Sequence, residues 1–199
     1  MQYFDNNENL RSELRDVYYT YNNETFKFKS DLGIFSKDKI DEGSKVLVET
    51  YIRYGKDNVK GLDMGCGVGF IGIMLSKLKN ITFDMVDVNN RAIHLTNMNV
   101  KSNKVKANVF VSDMYDKIND KYDLIITNPP IRAGKGVYLT ILNSSFNYLT
   151  ENGELWFVMR NNHGVKTVVS DLNKEHHAEI LKRDKGYYVV RVTRWKQYF

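Results

Sequence analysis

Val59-Lys60-Gly61-Leu62-Asp63-Met64-Gly65-Cys66-Gly67-Val68-Gly69 decides the fold. Val59 to Asp63 reads as a short strand, Gly65 to Gly69 as a glycine-rich turn, and Phe70 to Leu78 as a helix with one apolar face. Strand, glycine turn and helix in that order open a βαβ unit. Outward from it the rhythm repeats. Ile81 to Asp87 is the next strand, Arg91 to Val100 a helix, Val105 to Val111 a third strand and Tyr122 to Thr127 a fourth. Tyr138 to Leu149 then reads as a helix and Gly153 to Met159 as a fifth strand. Glu179-Ile180-Leu181-Lys182 and Tyr187 to Val192, joined around Asp184-Lys185-Gly186, break the alternation as two strands with a tight turn. The expected architecture is α/β: a Rossmann-like seven-stranded, mostly parallel sheet, helices on both faces and an antiparallel last strand.

Residues 1–40 precede this pattern as a small N-terminal appendage, and residues 41–199 form the main domain. The alternation Thr25-Phe26-Lys27-Phe28-Lys29-Ser30 predicts a hairpin strand with both phenylalanines on one side. A helix follows from about Asp41, with Val46, Leu47, Thr50 and Tyr51 on one face and acidic side chains at its positive end.

No apolar run approaches the roughly 18 residues that a membrane span needs, and the first residues lack an apolar signal region, so a cytoplasmic location is expected. The single cysteine, Cys66, excludes an intrachain disulfide and a multi-cysteine zinc site. None of the four histidines has metal-ligand spacing, and no metal is expected; the pair His176-His177 reads as a solvated helix end. The net charge of +5 is unevenly spread: residues 1–159 carry 20 basic and 20 acidic side chains, residues 160–199 nine and four. A basic C-terminal region suits a polyanion such as RNA.

In an open parallel sheet, ligands bind beyond the carboxyl ends of the strands. Asp63 to Gly69, Asp87, Asp113 and Asn128 all fall at such ends and describe one crevice. Gly67-Val68-Gly69-Phe70-Ile71-Gly72 also matches the dinucleotide fingerprint, with Asp87 about 20 residues on. Electrostatics separates the two readings. Asp63 beside the turn would repel a pyrophosphate, whereas S-adenosylmethionine presents a cationic amino group and sulfonium that suit a carboxylate. On this reading Asp63, Gly65, Cys66, Gly67 and Gly69 form the cofactor turn, Asp87 with Val88 takes the ribose hydroxyls, and Asp113 with Met114 faces the adenine.

Tyr122 to Thr127 runs into Asn128-Pro129-Pro130-Ile131-Arg132-Ala133-Gly134-Lys135. Two prolines stop the strand and hold Asn128 extended with its amide projecting. If the Asn128 oxygen and the Pro129 carbonyl each accept an N–H from an exocyclic amine, the nitrogen lone pair is steered to an activated methyl group without a strong base. The chain offers no Ser-His-Asp arrangement, reactive cysteine or carboxylate pair that would suggest other chemistry.

Asp63-Met64-Gly65-Cys66-Gly67 together with Asn128-Pro129-Pro130-Ile131-Arg132-Ala133-Gly134-Lys135 resembles the class I methyltransferases of the small-subunit ribosomal RNA guanine-N2 methyltransferase C family. Gly33-Ile34-Phe35-Ser36-Lys37 with Asp41-Glu42-Gly43-Ser44 is similar to the segment leading into that family's catalytic domain. The resemblance implies Asn128, Pro129, Pro130 and Ile131 as the catalytic motif, with Asn128 also reaching the cofactor. It implies ribosomal RNA or an assembling small subunit as partner, met by Phe35, Arg132 and Lys135. Two departures stand out. Residues before the first sheet strand are too few for the extra N-terminal domain of longer members, and Ile131 stands where many amino-methyltransferases carry an aromatic ring. Phe35 or Tyr138 is a candidate for the missing stack on the target base. Asn-Pro-Pro also suits the glutamine amide of a protein substrate, and a catalytically silent RNA-binding module is the third reading.

Overall fold

The computed structural model describes residues 13–31 and 39–195. Its first element is a hairpin of β1 (Arg15–Tyr21) and β2 (Glu24–Ser30). Asn22 and Asn23, at φ 45° and 66°, make the two-residue left-handed turn that matches strand twist and that asparagine tolerates. Phe26 and Phe28 share one face, as the alternation predicts, and are buried. The outer edge of β2 is closed by two side-chain amides, one from α3 (Asn90–Ser102) and one from the residue that caps its C-terminus. Asn99 accepts from Lys29 N at 2.6 Å and donates to Lys29 O at 3.0 Å. Asn103 treats Lys27 in the same way at 3.1 and 2.8 Å. The two amides replace a neighbouring strand, so the edge does not solicit another chain.

The main sheet runs β5-β4-β3-β6-β7-β9-β8. It is built from β3 (Lys60–Met64), β4 (Thr82–Asp87), β5 (Ala107–Val111), β6 (Tyr122–Thr127), β7 (Leu149–Arg160), β8 (His176–Asp184) and β9 (Tyr187–Arg194). β9 alone is antiparallel to its neighbours, paired with β7 on one side and β8 on the other. Lys185 and Gly186, at φ 48° and 79°, form the turn between β8 and β9. Strand residues alternate between two cores. Ile126, Trp156 and Val158 pack with α1 (Glu42–Tyr54), α2 (Phe70–Lys79) and α3, while Ile125, Leu155 and Phe157 pack with α4 (Lys135–Ser144) and α5 (Val165–Leu172). Burial on both faces explains why the central strands read as continuous apolar runs.

From β3 the chain winds outward through β4 to β5, then returns to place β6 on the other side of β3, with Asp63 opposite Ile126. This reversal of strand order sets the ends of β3 and β6 side by side and opens a crevice between the loops that follow them.

Several expectations need correction. α4 starts at Lys135 and ends at Ser144, followed by a 3₁₀ turn at Ser145–Asn147, and β7 begins at Leu149. β7 starts early because a register shift lets Tyr122 pair with Leu149 and Leu124 with Glu154, accommodating an irregular stretch ahead of Gly153. α5 lies in a stretch where the sequence reading gives only a helix end at His176-His177 and delimits no helix, although Val165, Val168 and Leu172 mark its buried face. His176 and His177 lie in β8, not at a helix end. They pair with Arg194 and Thr193 of β9, a partner absent from the local sequence, and His176 stacks on Phe146 with ring centroids 3.5 Å apart. No helix among the described residues is long and apolar enough to cross a membrane.

Candidate functional site

The turn after β3 is pinned from behind. Gly65 N and Cys66 N both donate to Val86 O at 2.9 Å, and Thr96 of α3 donates to Gly67 O at 2.8 Å. Gly69 caps α2 at φ 81°, and a Cβ there would meet Thr96 Cγ2 at 2.8 Å, so position and conformation both call for glycine. The Cys66 thiol is buried, within 3.7 Å of Thr96 Oγ1, and burial pushes its pKa well up, which makes it packing rather than a nucleophile.

Asp63 lies beneath this turn, fully buried, and accepts from Gly72 N at 2.9 Å through Oδ2. Its Oδ1 has no partner within the described residues. Burial pushes the carboxyl up to about 7; the Gly72 N–H pulls the other way and the Asp87 charge adds to the rise. Asp87 ends β4, where Oδ2 accepts from Gly67 N at 3.0 Å and Oδ1 from Asn89 N at 2.9 Å. Burial raises its pKa too, opposed by those backbone donors. Asp87 therefore ties the glycine turn to the start of α3 and keeps further lone pairs for a ligand.

Met64, Gly65, Asp87, Val88, Asp113 and Met114 line a narrow cleft, closed on its far side by Asn128, Pro130 and the α4 residues Val137 and Ile141. Ser112 completes the lining. Two carboxylates line this cleft, and among the described residues no Lys, Arg or His does. A pyrophosphate would meet two carboxylates and no cation among the described residues, whereas a cationic ligand with a flat apolar part has both carboxylates and an aliphatic slot. Val137, Ile141 and Ser112 were not identified from sequence; the amphipathic face of α4 was the available signal for the first two.

A second cavity, about 500 Å³, adjoins the first. Its walls include Asp41, Pro129, Ile131, Arg132, Arg160 and Tyr187, and Asn128 and Pro130 are common to both cavities. The Asn128 amide nitrogen donates to Asp41 Oδ2 at 2.7 Å and to Ser44 Oγ at 3.0 Å. Pro129 O accepts from Ile131 N at 2.8 Å and retains a second lone pair. The Arg160 guanidinium carbon lies 4.7 Å from the Tyr187 ring centroid, and its Nη2 donates to the Tyr187 hydroxyl at 2.8 Å. This pair puts a planar cation on the wall of the second cavity, whereas Ile131 contributes only aliphatic surface.

The structure thus brings together Gly65, Asp87, Val88, Asp113, Met114, Asn128, Pro129, Pro130, Ile131 and Arg132 around two adjoining cavities. Asp63, Cys66, Gly67 and Gly69 form the support of the turn and do not line the cleft. Lys135 opens α4 outside both linings. Tyr138 is buried in the α4 core and does not line the second cavity, which removes it as the stacking ring. Phe35 lies outside the described residues. No cluster able to hold a metal occurs among the described residues.

Residues 25–191 match the Methyltransferase small domain family. The chain belongs to that family. It is 33% identical over 199 residues to the uncharacterized protein YbxB of Bacillus subtilis, covering 96% of this chain and 98% of that protein. It is also 36% identical over 181 residues to Ribosomal RNA small subunit methyltransferase C of Buchnera aphidicola subsp. Cinara cedri, covering 88% of this chain and 51% of that protein. The chain spans about half the length of that relative. Among solved structures, the T. thermophilus 16S rRNA N2 G1207 methyltransferase in complex with AdoMet and guanosine superposes with a TM-score of 0.82 at 22% identity. That match covers 93% of this chain and 52% of the other, and it establishes the fold.

The chain is a class I methyltransferase with S-adenosylmethionine as cofactor. The residues present fit that molecule: a cleft with two carboxylates and, among the described residues, no cation accepts its positive charge, and Asp63, with its orphaned Oδ1, adds a third carboxyl group behind the turn.

Proposed function

We propose that this protein methylates an exocyclic amine of a nucleobase in RNA, guanine N2 of small-subunit ribosomal RNA being the favoured acceptor. The observation that carries this reading is the Asn128 amide: its NH2 is spent on Asp41 and Ser44, and its oxygen is left at the junction of the two cavities. Asp87, Asp113 and the turn would hold S-adenosylmethionine in the first cavity, where it would supply an electrophilic methyl group.

The chain's own part is orientation. A base entering the second cavity lays its amine against Asn128 Oδ1 and the free lone pair of Pro129 O, each accepting one N–H. The nitrogen lone pair then points into the first cavity. As the nitrogen takes the methyl group it gains positive charge, which the two oxygens stabilise, and the extra proton leaves afterwards to water. Arg160, beside the Tyr187 ring, offers the base a planar partner that Ile131 lacks. Support for RNA comes from the nine basic side chains of residues 160–199 and from the names of the ribosomal RNA relatives.

The test supplies labelled S-adenosylmethionine and RNA from cells lacking the protein. Label should enter RNA with the wild type, and Asn128→Ala should lower the rate at least about 100-fold. Label appearing in protein glutamine and not in RNA would overturn the nucleobase reading. A chain that binds RNA, gives no heat with S-adenosylmethionine and transfers nothing would overturn the enzyme.

A further inference from the structure

We propose that Asp41 and Ser44 are positioning residues that hold the Asn128 amide in one of its two orientations and so decide which kind of group this site can grip. The inference rests on the role given to Asn128 above. Both hydrogens of Nδ2 are taken, one by Asp41 Oδ2 at 2.7 Å and one by Ser44 Oγ at 3.0 Å. The same Asp41 oxygen also accepts from Ser44 N at 2.8 Å, which is the N-cap of α1. One carboxylate oxygen therefore starts a helix and orients a side chain 87 positions later in the sequence.

The orienting power lies in what a carboxylate cannot do. A primary amide turned by 180° exchanges its oxygen for its nitrogen with almost no change of shape, so packing alone does not choose between the two. A hydroxyl does not choose either, because it donates as readily as it accepts. A carboxylate only accepts, and a turned Asn128 would set oxygen against oxygen at 2.7 Å while leaving NH2 to face the acceptor. Asp41 forbids that state, and Ser44 completes the grip. What remains free is Oδ1, which receives N–H groups and repels carbonyl oxygens and unprotonated ring nitrogens.

The Asp41 backbone and the helix start that carries it are themselves fixed. Lys45 N donates to Asp41 O at 3.1 Å, and Glu42 pairs with Lys45 at 2.7 Å and with Lys185 at 3.0 Å. Gly43 leaves room for the Tyr187 ring, since a Cβ there would lie 2.8 Å from Tyr187 Cε1. The same helix start thus fixes the catalytic amide and seats one wall of the acceptor cavity.

The experiment separates the helix cap from the grip. Serine caps a helix as well as aspartate does, but its hydroxyl no longer excludes the turned amide. Asp41→Ser combined with Ser44→Ala keeps the cap, because the capped group is a backbone N–H, and removes both fixed acceptors. Single-turnover methyl transfer to RNA, calorimetric binding of S-adenosylmethionine and thermal melting are measured for this variant, Asp41→Asn, Ser44→Ala and Asn128→Ala. In Asp41→Asn the Ser44 N–H keeps the side-chain oxygen where Asn128 needs it, so transfer should stay within about threefold of wild type. The double variant should lose about 10- to 100-fold in transfer rate, with the cofactor's dissociation constant changed by less than about threefold. Ser44→Ala, with the cap untouched, should lie between them and serves if the double variant melts early. A double variant with wild-type transfer, beside an inactive Asn128→Ala, would overturn the orienting role and leave the reading of Asn128 intact. Equal losses in Asp41→Asn and the double variant, at unchanged melting temperature, would overturn it as well. Wild-type transfer by Asn128→Ala would overturn the reading on which it rests.

Discussion

Replacing Asp63 with asparagine should change the pH dependence of stability more than the stability itself. In the native protein this carboxyl is pushed up to about 7 from an ordinary 3.8, mainly by burial. A raised acid pKa means that the folded chain holds a proton that the unfolded chain releases between those values. The folded state is thus favoured fully below about pH 4, and the advantage is lost as pH rises through about 7. Each pKa unit is worth about 1.4 kcal/mol, so the full loss is about 4 kcal/mol, of which about 3 kcal/mol falls between pH 5 and pH 8. Asparagine does not titrate. Urea unfolding of both proteins without cofactor, at pH 5, 6, 7 and 8, should show the variant gaining on wild type by about 1.4 kcal/mol per unit up to pH 7 and levelling off above it. Subtracting the two curves removes the contributions of all other groups common to both. Saturating S-adenosylmethionine should flatten the wild-type slope, since a cation near the orphaned oxygen favours the ionised form. Parallel curves for the two proteins would refute the argument, because they would mean that Asp63 is ionised across the range in spite of its burial.

Asn99→Ala removes three bonds that tie the hairpin and the glycine turn to α3, those with Lys29 N, Lys29 O and Val68 O, and should cost about 3 kcal/mol in urea unfolding. Gly69→Ala combines a φ of 81° with a 2.8 Å approach to Thr96, and should weaken calorimetric S-adenosylmethionine binding at least about tenfold. Arg160→Ala takes the planar cation from beside Tyr187; KM for RNA should rise about tenfold with cofactor affinity unchanged. A KM for RNA that does not move would take Arg160 out of base binding.

The clustering of the candidate site was legible in the sequence where chemistry and element ends coincide. Gly65, Asp87, Asp113 and Asn128 each close a strand or open a turn, and a parallel sheet gathers such points on one edge whatever else the chain does. The parts that were not legible share another property: their roles come from contacts across long stretches of chain. Tyr138 was an acceptable ring by sequence, and only the packing of α4 shows it buried away from the second cavity. His176 and His177 have the composition of a polar surface, yet they pair with Arg194 and Thr193 of β9, and their rings meet Phe146 and Trp195. Arg160 and Tyr187 look like two ordinary residues of a basic C-terminal region until β7 and β9 pair antiparallel and set one against the other.

The sequence by itself determined the alternation of strand and helix, the reversal to an antiparallel β9 and the glycine turn, because these follow from periodicity and backbone conformation over a few residues. It also determined that a carboxylate stands ahead of that turn and an asparagine ahead of two prolines. Only the tertiary structure decided that Asp63 is buried beneath the turn while Asp87 and Asp113 line the cleft, and that the Asn128 amide nitrogen meets Asp41. The physical reason is that burial and hydrogen-bond direction are properties of the neighbours a side chain acquires on folding, and those neighbours lie far along the chain.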